Sequence, residues 1–200
     1  MRLSREAATQ ADVLRATSKY RLAHHPPMDF EELVRERFSA RSYLDRPVEK
    51  EKIEAILEAG RLAPSAKNLQ PTRVLVAEGA EALSKISKGA NLYGAPLALV
   101  AVSERDAAWT RPFDGKNFGD IDASIVVSQM MYAAQDLGLR SVWIGYFDPA
   151  VMKKELDLDD GEEVSSVLAV GYSSEQTSRN HGNRIAMSEF ARRLRRISIS

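Results

Sequence analysis

Apolar residues recur along this chain in two ways, at helical spacing and in short runs of strand length, and the two take turns. Behind Asp29, a residue suited to cap a helix, Phe30, Leu33 and Val34 recur at helical spacing. Val48, Ile53, Ile56, Leu57 and Leu62 form the apolar stripe of a second helix, opened by Pro47. Thr72 to Ala77 and Ala95 to Val102 are apolar, partly β-branched runs of strand length, and Glu81 to Lys88 between them suits a short helix. Ile121 to Leu137 is the longest helical segment. Ile125, Val126, Val127, Met130, Met131, Ala133, Ala134 and Leu137 make it apolar on several sides, which predicts burial either centrally or against a second subunit. Gly138 ends it. Ser141 to Phe147 and Val164 to Val170 read as two more strands. Asp148-Pro149 caps and opens a helix through Leu156, and Met187 to Arg193 reads as a short basic helix. Helices alternate with strands, so the pattern predicts a layered α+β or α/β fold.

Two stretches depart from this rhythm. Over residues 1–25, Ala7, Ala8, Ala11, Leu14 and Ala16 give a weakly amphipathic pattern that stops at His24-His25-Pro26-Pro27. An N-terminal helical docking arm and a partly disordered extension fit it equally, and the compact domain is expected over 26–200. Ser103 to Gly119 is polar and irregular, with Trp109, Phe113 and Phe118 among charges. A loop of that length inside a compact domain is more often functional than idle.

Composition narrows the chemistry. At 200 residues the chain fits one domain with an appendage. Its 28 basic and 28 acidic residues cancel, so no net field favours nucleic acid or an anionic membrane. The absence of cysteine removes disulfides, thiolate metal sites and cysteine nucleophiles, and three scattered histidines give no zinc-site spacing. No apolar run approaches the ~18 residues that span a bilayer, and the N-terminus lacks the apolar stretch of a secretory signal. A cytoplasmic protein that binds neither nucleic acid nor membrane is expected.

Against this background three segments stand out. Ala63-Pro64-Ser65-Ala66-Lys67-Asn68-Leu69-Gln70-Pro71 is a polar loop bracketed by prolines, and each proline pushes its predecessor toward an extended conformation. A hydroxyl, an ammonium and two primary amides offer donors and acceptors together, fitting either a plain connection or the edge of a flat heterocycle. In Arg37-Phe38-Ser39-Ala40-Arg41, an extended backbone places Arg37, Ser39 and Arg41 on one face. Two guanidiniums flanking a hydroxyl suit a phosphate, although a solvated charged turn has the same composition. Gly145-Tyr146-Phe147-Asp148 closes a strand and leads into a helix, where glycine lets backbone approach a ligand and the amides can donate. Arg184 is a further candidate phosphate ligand. Asp120 and Asp122 lie close together, one as a helix cap, with no partner that points to a metal. Rossmann, Walker, serine-elbow and His-Glu-x-x-His motifs are missing, so demanding chemistry would fall to a bound cofactor.

In this order the pieces resemble the nitroreductase family of flavin enzymes. The resemblance runs from about Met28 to Phe190. It is carried by the 37–41 segment, the 64–71 loop, Asp136 to Asp148, Ala169-Val170-Gly171-Tyr172, and Arg184 ahead of Met187-Ser188-Glu189-Phe190. It implies an α+β fold with a mixed central sheet flanked by helices, and an intertwined homodimer holding FMN at the subunit interface. Arg37, Ser39 and Arg41, joined by Arg184, would hold the phosphate and ribityl chain. Ser65, Asn68 and Gln70 would approach the flavin partly from the other subunit, and the backbone at Gly145 and Tyr146 would line the ring. NADH or NADPH would reduce the FMN, which would then pass hydride to a nitroaromatic, quinone or similar small electron-poor acceptor. Trp109, Phe113 and Phe118 are substrate-side candidates, either stacked on substrate or simply packed. Relatives in this fold that remove halogens or cleave a flavin, and non-catalytic flavin binders, mark the alternative activities. Two departures weaken parts of the pattern: Thr72 stands where an aromatic residue is common, and Gly182 where a second basic residue is common.

Overall fold

The computed structural model describes residues 28–194. Helix α1 (Phe30–Glu36) starts at Asp29, whose carboxylate accepts the amides of Glu31 and Glu32. There follow α2 (Lys50–Arg61), a short 3₁₀ turn (Ala66–Asn68), β1 (Thr72–Glu78), α3 (Gly79–Ser87), β2 (Leu97–Glu104) and α4 (Gly119–Asp136). The chain continues through β3 (Arg140–Ile144), α5 (Pro149–Glu155), β4 (Glu162–Gly171) and α6 (Met187–Phe190). The predicted elements are present with shifted ends. Helix α2 begins after Pro47, with Glu49 as its cap, and Leu62 beyond its end is exposed. Strand β3 stops at Ile144, which leaves Gly145 and Tyr146 outside the sheet. The last helix is a single turn, and no described residue beyond Phe190 is buried to reward its extension. The arm expected over residues 1–25 lies outside the described residues.

The strands form one sheet in the order β1-β2-β4-β3, with antiparallel pairing between all neighbours. Parallel pairing enters, among the described residues, through the bridge of Ser39 with Ser141 of β3. The sheet is covered on both faces, and the period of two sorts its residues. Leu97, Leu99, Ala101, Leu168 and Val170 pack against α2 and α4. Ala98, Val100, Val102, Val167 and Ala169 pack against α3 and α5. Both central strands are therefore apolar in sequence without alternation, which is the pattern of a strand buried on two faces. A bulge between Ala101 and Val102 leaves Ser165 of β4 as the extra residue, and its hydroxyl donates to Asp120 at 2.8 Å.

Helix α4 lies between α2 and the sheet. Its contact with α2 is close enough that a Cβ at Gly60 would come 2.7 Å from Met130 Cγ. Its C-terminal end is tied as well: Met28 N donates to Asp136, and Lys52 Nζ donates to Leu137 O. No described helix is long and apolar enough to cross a membrane.

A polar clasp joins α2 to the end of β4. Tyr172 donates its hydroxyl to Glu49 at 2.6 Å and accepts from Lys52 at 2.9 Å, while the Arg46 guanidinium sits 3.7 Å from its ring centroid. The Tyr172 hydrogen bond, chiefly, holds the Glu49 carboxyl down at about 2 from an ordinary 4.5. Because the folded value lies below the unfolded one, this contribution is complete above pH 4.5 and is lost as pH falls toward 2. Tyr172→Phe is expected to flatten this acid limb. Chemical denaturation at steps between pH 5 and pH 2 measures the effect, and identical limbs in both proteins would refute the assignment.

Candidate functional site

The 37–41 segment leaves α1 extended, with Arg37 at φ −70° and ψ 120°. Phe38 and Ala40 are buried, and Arg37, Ser39 and Arg41 occupy the other face. The alternation is fixed by the Ser39–Ser141 bridge and by the Ala40 amide, which donates to Ser141 O at 3.1 Å. Tyr43 pins the segment to β4, with its hydroxyl 3.2 Å from the carbonyls of both Ala40 and Ala169. Burial, with the Glu175 carboxylate adding to it, raises this phenol well above its ordinary value and keeps it neutral. The Arg41 guanidinium rests 6.0 Å from the Tyr93 ring, and the Arg41 amide donates to Glu175 at 2.7 Å. An anion here therefore meets one carboxylate as well as the two guanidiniums.

The turn holding Arg184 folds back onto this segment. His181 Nε2 donates to Arg35 O at 2.7 Å, and its ring meets Phe38 edge-on at 6.2 Å. Arg184 itself donates to the carbonyl of Asn183 at 2.8 Å. At the end of β3, Gly145 and Tyr146 are exposed, and a Cβ built on Gly145 would meet nothing within 4 Å. Ligand can approach this backbone without obstruction.

The 63–71 loop is held in an unusual conformation. Lys67, Asn68 and Gln70 have φ of 50°, 54° and 52°, the left-handed region that side chains disfavour. Ser65 Oγ accepts the Gln70 amide at 2.9 Å, Gln70 Nε2 donates to Asn68 Oδ1 at 3.1 Å, and Ala66 N donates to the buried carboxylate of Asp122 at 2.9 Å. Strain of this kind, held by specific partners, accumulates at functional sites. Lys67 reaches over the Trp109 ring at 5.9 Å, and Trp109 meets Phe118 edge-on at 4.8 Å. Those two aromatics pack together, whereas Phe113 stands 94% exposed.

The structure thus gathers the candidates into two groups. Arg37, Ser39, Arg41 and the Arg184 turn lie along β3, while Ser65, Asn68, Gln70, Trp109 and Phe118 lie at the start of β1. These strands are the opposite edges of the sheet, three strand spacings or roughly 14 Å apart. Neither Asp120 nor Asp122 caps α4; Asn117 Oδ1 instead accepts the Gly119 amide at 3.0 Å. Asp122 and Glu175 were missed as site residues in the sequence. Asp122 did leave a signal, since it falls on the buried stripe with Ala123, Val127, Met130 and Ala134.

Residues 34–90 and 84–172 match the model of the nitroreductase family. The chain belongs to the nitroreductase family. A provisionally named NADH dehydrogenase/NAD(P)H nitroreductase of Archaeoglobus fulgidus is 32% identical over 152 residues, spanning 72% of this chain and 85% of that protein. The crystal structure of a nitroreductase family protein from Clostridium difficile is 45% identical, with a TM-score of 0.79, and covers 82% of this chain and 98% of that one. A provisionally assigned nitroreductase from Desulfovibrio desulfuricans, crystallised with FMN, is 25% identical with a TM-score of 0.70, covering 85% and 99%. The family match takes in the 37–41 segment, the 63–71 loop, Trp109 and Phe118, and ends ahead of the Arg184 turn.

Within this nitroreductase chain the Ser65–Gln70 bond is internal to the loop, so its loss acts locally. Ser65→Ala is expected to raise hydrogen exchange at the Gln70 amide at least severalfold. Global stability should change by less than about 1.5 kcal/mol, the scale of one hydrogen bond. An unchanged exchange rate at Gln70 would show that the loop does not depend on this bond.

Proposed function

We propose that this chain is an FMN-dependent oxidoreductase that takes electrons from NADH or NADPH and reduces small electron-poor acceptors, nitroaromatics or quinones. The observation that carries the reading is the Arg37-Ser39-Arg41 face, set by pairing to β3 in a member of a family with an FMN-bound relative. The NAD(P)H donor follows the name of the Archaeoglobus fulgidus relative.

The residues present fit FMN. Guanidiniums donate paired, charge-assisted hydrogen bonds to a phosphate, with the Ser39 hydroxyl between them and Arg184 on the turn beside them. The open backbone at Gly145 and Tyr146 accommodates a flat ring at close approach. FMN, when bound, supplies the hydride exchange between nicotinamide and acceptor. The chain's own residues bind, orient and shield. Asn68 and Gln70 would offer their amides to the bound ring, and Lys67 beside them would add a cationic group. Trp109 and Phe118 border the side where nicotinamide and acceptor alternate.

A homodimer with two shared sites completes this reading. In one chain the loop and the phosphate-binding face hang from opposite sheet edges, and a two-fold partner brings a second loop to each face. Helix α4, with Ile121, Ile125 and Val126 only partly buried, supplies apolar surface for that contact. On this view residues 26–200 form the catalytic domain and residues 1–25 an appended arm, in a cytoplasmic protein.

The purified protein is expected to be yellow and to bleach on anaerobic addition of NADH or NADPH; colourless protein that takes up no added FMN would exclude the function. Arg37→Ala and Arg41→Ala are each expected to weaken FMN binding by about 10- to 150-fold, the range of one hydrogen bond to a charged group. Titration of flavin fluorescence measures it, and unchanged affinity in both variants would remove the phosphate assignment.

A further inference from the structure

Beneath the 63–71 loop lies a polar group that the proposed chemistry does not use. Asp122 is 2% exposed. Its Oδ1 accepts the Ala66 amide, and its Oδ2 has no hydrogen-bond partner among the described residues. Among the buried hydroxyls that share that condition are Ser103 Oγ and Thr72 Oγ1. Thr72 and Ser103 are paired directly across β1 and β2. Both face α4, because they keep the parity of Val74, Leu99 and Ala101, which pack in the α4 core. Ser103 Oγ abuts Gly119 so closely that a side chain there would collide with it. Asp122 lies one turn further along the same helix. The three buried oxygens therefore lie on the α4 side of the sheet, by the first turn of α4 and the start of β1 to which the loop leads.

A buried carboxylate is costly unless a donor compensates it, and well-packed apolar side chains often serve a core as well or better. The donor that Asp122 keeps belongs to the loop and not to the core. The loop, in turn, holds three non-glycine residues in the left-handed region within four positions. Of its other side-chain bonds, Ser65 to Gln70 and Gln70 to Asn68 are internal, and Arg73 of β1 donates to Gln70 O at 2.9 Å. Asp122 is a side chain of α4 that fastens it to the helix.

We propose that Asp122 is a positioning residue for the ligand: by accepting the Ala66 amide it sets the 66–70 turn so that Asn68 and Gln70 present their amides to the flavin. The assignment rests on the FMN reading above. It concerns how the loop is aimed, and no contact between Asp122 and the flavin is involved.

Three variants test it. Asp122→Ala removes the acceptor, and Asp122→Asn keeps an oxygen in its place. Ala66→Pro removes the donor and leaves the buried carboxylate untouched; Ser65 already has the ψ of 160° that a residue before proline requires. FMN affinity is measured in each, alone and combined with Asn68→Ala and Gln70→Ala. Asp122→Ala and Ala66→Pro are expected to weaken FMN about tenfold or more, and Asp122→Asn to remain within about threefold of the unmodified protein. In the Asn68→Ala, Gln70→Ala background the further loss should vanish, since the effect runs through those two side chains. Should Asp122→Ala fail to fold, Ala66→Pro decides the question by itself. FMN affinity unchanged in both, or a loss that persists undiminished in the double-variant background, would overturn the assignment. Failure of the unmodified protein to bind FMN would remove the flavin reading and this inference together.

Discussion

Helix α4 has to be buried on more than one side, and the placement of every candidate group follows from that requirement. Its sequence offers apolar residues around most of its circumference, and it meets α2 on one side and the sheet on another. A helix held from two directions cannot slide or rotate without opening cavities against Val127, Met130 or Ala134, and close packing makes such openings expensive. Its two ends thereby become fixed points. The N-terminal turn carries Asp122 beneath the 63–71 loop. The C-terminal turn carries Asp136 at the entry to α1, and through it the approach to the 37–41 segment. From Asp122 to Asp136 the helix rises roughly 21 Å, so it separates the two groups as firmly as it holds each one.

That separation gives the proposed function its shape. The phosphate-binding face is made on one edge of the sheet by pairing with β3, where side chains alternate between core and ligand. The amide-bearing loop is made on the other edge by backbone strain that a hydroxyl and a buried carboxylate hold in place. A rigid sheet keeps the two groups apart within a chain, and in the proposed homodimer a two-fold axis would bring them together between chains. Oligomerisation would then be part of the proposed binding site, and flavin affinity and dimer stability would be linked quantities.

Much of this was legible in the sequence because it depends on local rules. Apolar, partly β-branched runs marked the strands, Asp29 and Asp148 marked two caps, and Gly138 marked the end of α4 in a left-handed conformation, at φ 75°. The alternation of Phe38 and Ala40 against Arg37, Ser39 and Arg41 was readable for the same reason. What escaped depends on tertiary contact. Pro47 does not open α2: Val48 first turns into the core, and the helix starts at Lys50, three residues after Pro47. The roles of Asp120 and Asp122 diverged because one faces the bulge at Ser165 and the other the loop, a difference that spacing alone does not encode. Glu175 reached Arg41 from 134 residues away, through a tail with no periodicity of its own.

The most direct test of the composite site is a mixed dimer. One chain carries Arg37→Ala and Arg41→Ala, its partner carries Asn68→Ala and Gln70→Ala, and the heterodimer is isolated through different tags. If each site takes its arginines from one chain and its loop from the other, both sets of defects fall in the same site and the second site is intact. The account predicts one FMN bound per heterodimer at the unmodified affinity, read from the flavin absorbance against protein. A heterodimer with no site of unmodified affinity would place the loop and the arginines in the same chain's site and contradict it.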